Sequence, residues 1–125
     1  SACKQYFARV LISANTRQAL RGTYRIREID KVVVKGKTEP VAIYEVLDYH
    51  DDMSFPNLME VVSQFSNGLK HYRSQNWSRA MAAFGEALAL NPRDRLCDLY
   101  IERCQYWQKN HPPGDWNGVW IMTSK

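Results

Sequence analysis

The sequence predicts an α+β fold, and three observations predict it. Between Val10 and Val46 apolar residues come in the short runs and alternations of strands, whereas from Leu58 to Trp107 they recur at the i, i+3, i+4, i+7 spacing of helices. A polar, acidic stretch from Asp48 to Phe55, just before Pro56, separates the two patterns. The expected organisation is a strand-rich part over residues 1–48, a linker over 49–56 and a helical part with a tail over 57–125.

In the first part, Val10 to Ile12 is a brief apolar run ending at Ser13. Ser13 or Asn15 is placed to cap a short helix reaching Leu20, and Gly22 suits its left-handed exit. Tyr24 to Lys35 then alternates, but the phase set by Tyr24 and Ile26 breaks before Ile29, which predicts a bend or bulge near Glu28 to Asp30. Val32, Val33 and Val34 follow without interruption, and Val41 to Leu47 is apolar on both alternating faces. Both segments read as strands covered on two sides, which calls for a partner layer. A two-stranded ribbon of such residues cannot stand alone in water, so either the helical part covers it or two copies pair their edges, the second being the expectation.

In the helical part, Leu58, Val61, Val62, Phe65, Leu69 and Tyr72 form one face, with Asn57 and Glu60 spaced like a capping box. Asn76 is placed to cap a second helix whose inward set is Trp77, Ala80, Met81, Phe84, Ala87 and Leu88. Asn91 and Pro92 carry the cap and first-turn signals of a third, with a stripe of Leu96, Cys97, Tyr100, Ile101, Cys104 and Trp107. Pro112, Pro113 and Gly114 end it.

Composition narrows the function classes. With 45% hydrophobic residues in 125, the chain is not of the disordered class. Its net charge of +4 mildly favours anionic ligands such as triphosphates. The basic residues form no dense block and suit the wet faces of amphipathic helices, so nucleic acid is not an expected partner. Three cysteines, an odd number without a repeated pair motif, favour a reduced, cytoplasmic setting. Cys97, Cys104 and His111 are evenly spaced, yet zinc sites use tighter ligand pairs, and cysteines at this spacing on a helix share a buried face. No apolar run approaches the ~18 residues that span a bilayer, and Ser1 carries no targeting signal.

The run DKVVVKGKTEPVAIYEV, Asp30 to Val46, is the most informative in the chain. Lysines beside a glycine at a strand end serve equally to solubilise a turn, so VKGK alone does not decide a function. Its flanks do more: VLIS at Val10 to Ser13, VKGK at Val34 to Lys37 and PVAIYEV at Pro40 to Val46 follow one another as in the last part of a class III nucleotidyl cyclase domain. The resemblance covers roughly the first 48 residues. It implies the terminal strands of a ferredoxin-like domain. It also implies a reaction in which the ribose 3′-hydroxyl of ATP or GTP attacks the α-phosphorus and releases pyrophosphate, with Mg²⁺ or Mn²⁺ held by two aspartates. Neither aspartate matches a residue here, nor do the family's Asn-x-x-x-Arg pair and base-reading residues, so the choice between ATP and GTP stays open.

Lys35 alone inherits a role from the resemblance, a contact to the β- and γ-phosphates; Lys37 matches the second lysine without a role. Asp30, Asp48, Asp51 and Asp52 fall in the wrong part of the pattern for metal ligands and are expected to be solvated charges. On this reading Ser1 falls inside a domain. The chain is then a C-terminal piece, inactive by itself, of a bacterial cyclase that works as a homodimer.

The second half resembles a tetratricopeptide unit, which Gly68, Ala80, Phe84, Ala87 and Pro92 match; His71 takes the place of the usual aromatic, with Tyr72 one residue beyond. The tail PPGDWNGVW is expected to strap Trp116, Val119 and Trp120 back over the helices. The alternative reading is a noncatalytic module whose helical half binds a protein partner.

Overall fold

Ser13 caps the helix Ala14–Ala19 as its side chain predicts, its Oγ accepting from the backbone N–H of Thr16 at 3.2 Å. The computed structural model describes residues 2–20, 25–33, 36 and 38–120. Gly22 and Tyr24 lie outside the described residues. In chain order the elements are α1 (Ala2–Gln5), β1 (Leu11–Ser13), α2 (Ala14–Ala19), β2 (Ile26–Val32), β3 (Val41–Val46), α3 (Leu58–Arg73), α4 (Trp77–Leu90) and α5 (Arg95–Lys109). The fold is mixed α+β. The chain divides into two compact units, Ser1–Leu47 with Asp115–Lys125, and Asp48–Gly114.

The first unit is built on an antiparallel sheet in the order β1-β3-β2. β3 has two neighbours, because Leu11–Ser13 folds onto its far edge in the register Leu11↔Glu45, Ile12↔Tyr44, Ser13↔Ile43. The ribbon expected to lack a partner therefore has one within the chain. The predicted irregularity in β2 is present as a register shift between Glu28, opposite Tyr44, and Asp30, opposite Ile43. Ile29, the extra residue, is fully buried. Within the single chain the strands are not covered on both faces: Val32, Val41, Ile43, Tyr44 and Val46 are only half-buried, and Val33 is exposed. Three strands and two short helices supply too little surface to close over both faces of the sheet.

The second unit opens with turns, in which Phe55 is buried and its N–H donates to the Asp51 carbonyl at 2.8 Å. Helices α3, α4 and α5 then pack in sequence, α4 against each of the others. Phe65, Phe84, Tyr72 and Tyr100 are buried between them, with ring centroids 5.0 to 5.5 Å apart. The indole N–H of Trp107 donates to the Tyr72 hydroxyl at 3.0 Å, joining α5 to α3. Gly68 lets α3 approach α4 closely: a Cβ there would fall 2.7 Å from Cδ1 and Cζ of the Phe84 ring.

The helix starts differ from the cap signals. Asn57 is left-handed at φ 56°, and its side-chain amide donates to the Leu90 carbonyl at 2.8 Å instead of capping α3. Asn76 makes no side-chain cap. Asn91 closes α4, its Oδ1 accepting from the Arg93 N–H at 3.2 Å, and α5 begins only at Arg95. The tail is a further correction, for from Asp115 it groups with the sheet unit, not with the helices. The helices have already filled their shared face with their own aromatic rings.

Candidate functional site

The glycine turn joins the two strands whose last paired residues are Val32 and Val41. Gly36 has φ +85°, and a Cβ built on it meets nothing within 4 Å. Backbone conformation rather than crowding is thus what calls for glycine at this position. Lys35, the one site residue that the sequence assigns, lies outside the described residues, as do Val34 and Lys37.

Beside the turn is a cleft of ≈ 420 Å³, with Val32, Val41 and Ile43 on the sheet side and Ser13, Asn15 and Glu39 among its polar lining. The unit that carries it is the basic one. Ten lysines and arginines accompany five aspartates and glutamates there, against seven and eight in the helical unit. A net positive charge on the unit that carries the turn favours polyanionic ligands such as a polyphosphate.

Two buried polar pairs hold this sheet. The Arg27 Nε donates to Glu45 Oε1 at 3.2 Å across β2 and β3, with both side chains about 4% exposed. The Tyr6 hydroxyl donates to Asp30 Oδ2 at 2.6 Å, while the Lys31 N–H donates to Asp30 Oδ1 at 2.8 Å. Asp30 is 2% exposed, which corrects its reading as a solvated charge. Sequence reasoning missed both pairs. The available signal was charge on strands otherwise read as apolar on two faces, where a buried ion needs a partner.

Asp48, Asp51 and Asp52 are exposed. Asp51 accepts from the N–H groups of Ser54 at 2.9 Å and Met53 at 3.0 Å, and these bonds, Ser54's foremost, hold its carboxyl below the ordinary 3.8. Among the described residues no three His, Cys, Asp or Glu side chains come together as metal ligands. The described residues do not fit the metal pair that the resemblance implies.

Cys97 and Cys104 are fully buried on α5, while His111 is exposed. The Cys97 thiol donates to Asp94 Oδ2 at 3.2 Å. Burial pushes the Cys104 thiol from 9.0 to about 12. Cys104 is thus an inert core group at neutral pH. No helix among the described residues is long and apolar enough to cross a membrane.

No family model and no solved structure matches the chain. A curated relative from Dictyostelium discoideum, named adenylate cyclase, terminal-differentiation specific, is 35% identical over 106 residues. The match covers 82% of this chain and 5% of the relative, so the chain spans about 5% of the length of the curated protein it matches. An alignment of 106 residues is longer than either unit, so the similarity reaches into both. The relative is eukaryotic, which lends no support to the bacterial source expected from the sequence.

Proposed function

We propose that this chain forms part of a class III nucleotidyl cyclase, supplying the last strands of the catalytic domain and a tetratricopeptide-like helical extension. The observation that carries this reading is the similarity to a protein named adenylate cyclase reaching into both units, joined to a glycine turn within the basic one. In it Lys35 neutralises charge on the β- and γ-phosphates as pyrophosphate leaves. The whole enzyme is a cytoplasmic-facing homodimer that converts ATP or GTP to a cyclic nucleotide, with Mg²⁺ or Mn²⁺ bound by aspartates that have no match in this chain. The isolated chain is then inactive.

The test is cyclic nucleotide formation by the full-length protein that contains these residues. A charge-assisted contact of this kind contributes about 1.5–3 kcal/mol. Lys35→Ala is therefore expected to lower kcat/KM roughly ten- to a hundred-fold. Wild-type activity in Lys35→Ala beside a crippled Lys37→Ala reverses the assignment within the turn. A full-length protein without cyclase activity leaves the noncatalytic interaction module as the better reading.

A further inference from the structure

The extra residue in β2 controls which face its later residues occupy. Before the bulge Arg27 stands opposite Glu45; after it Asp30 stands opposite Ile43 and Val32 opposite Val41, so these three β2 residues share one face of the sheet. Without the extra residue Asp30 would move opposite Ala42 and every following side chain would change face. The strand entering the glycine turn would then present its opposite side.

Something must hold the bulged register against that slip, because a bulge leaves a gap in the ladder. Asp30 is the first residue after the shift, it is 2% exposed, and it accepts from the Tyr6 hydroxyl at 2.6 Å and the Lys31 N–H at 2.8 Å. Tyr6 is itself 5% exposed, and it comes from the segment between α1 and β1. A slip by one residue would carry the carboxylate to the other face, away from this phenol, and break the hydrogen bond between them.

We infer that Asp30 and Tyr6 form a positioning clamp that fixes the register of β2 and, through it, the delivery of the glycine turn to the triphosphate. This rests on the proposed role of Lys35. Asp30 touches no substrate; it acts through the strand.

The test uses the full-length protein, with kcat, KM for the nucleotide and inhibition by pyrophosphate measured for Asp30→Ala and Tyr6→Phe in wild-type and Lys35→Ala backgrounds. Misplacing a reacting group from a distance costs up to about a hundred-fold. Asp30→Ala is expected to lower kcat/KM roughly ten-fold and weaken pyrophosphate inhibition, and to cost less than about two-fold once Lys35 is already Ala. Asp30→Asn, which keeps an oxygen acceptor for the phenol, is expected to restore most of the loss. Tyr6→Phe removes one hydroxyl, keeps the ring in the core and is expected to show the same coupling to Lys35, so it decides the matter if Asp30→Ala does not fold. Equal losses in both backgrounds, or a lowered melting temperature with unchanged kinetics, overturn the clamp alone. A silent Lys35→Ala overturns the reading of the turn and the clamp with it.

Discussion

The two units bury different things. The helical unit encloses rings: Phe65, Phe84, Tyr72 and Tyr100 are each no more than 1% exposed and meet edge-on or stacked. In the sheet unit the apolar strand residues other than Ile29 are half-buried, whereas Arg27, Asp30 and Glu45 are buried. Hydrophobic burial is non-directional and tolerates small shifts, while a buried ion pair or charged hydrogen bond is satisfied in one register only. The helical unit is thus held by volume and the sheet by alignment, as suits a strand pair that must deliver a turn to a fixed place.

Breaking the ion pair is the severest test of that contrast. Arg27→Ala leaves Glu45 buried beside a lost guanidinium and is expected to cost about 3–5 kcal/mol, read by denaturant unfolding with hydrogen exchange to locate it in β3. Replacing both partners with apolar residues of similar size should recover most of it. If the single and double variants are equally damaged, alignment by this pair is not what holds the sheet.

Phe84→Ala should cost about 3–5 kcal/mol and lower the thermal transition of the helical circular dichroism signal, with exchange in β2 and β3 unchanged. Simultaneous loss of protection in both units would show that they do not stand on separate cores. Gly68→Ala should cost about 1–3 kcal/mol by driving a methyl into the Phe84 ring. In the Phe84→Ala background most of that penalty should disappear, a coupling that a double-mutant cycle measures.

The smallest effect near neutral pH belongs to Cys104. Its folded pKa is raised from 9.0 to about 12, so its contribution to stability is complete below 9.0. Between the two values the unfolded chain loses a proton that the folded chain keeps, and stability falls as pH rises. Cys104→Ala should flatten the alkaline fall in unfolding free energy while leaving the curve at pH 7 to 8 parallel to wild type. An unaltered alkaline slope would show that another group controls it.

Much of the fold was legible because its signals are local. The change of period at Asp48, the Ser13 cap and the phase break before Ile29 need only neighbouring residues, and each has its counterpart in the structure. The apolar stripes of α3, α4 and α5 were read to within a few positions: Val62, Met81, Leu88 and Ile101 are only half-buried, while Arg103 is buried unannounced. The cap readings failed where a distant group competed, as when the Leu90 carbonyl took the Asn57 amide.

For the candidate site, the sequence by itself determined the glycine turn, since glycine is the residue that adopts a positive φ without steric cost, and the lysines that flank it. It determined the basic character of the first unit for the same reason, that charge is carried by composition. Only the tertiary structure decided that Asp30 lies buried against Tyr6 and that Arg27 meets Glu45, because these partners are 24 and 18 residues apart and nothing local in the chain selects between them and solvent. It also decided that β1 joins β3 and that the tail belongs with the sheet unit. Pairings of that range depend on which surfaces are left uncovered after each element has formed, and only the folded chain settles that.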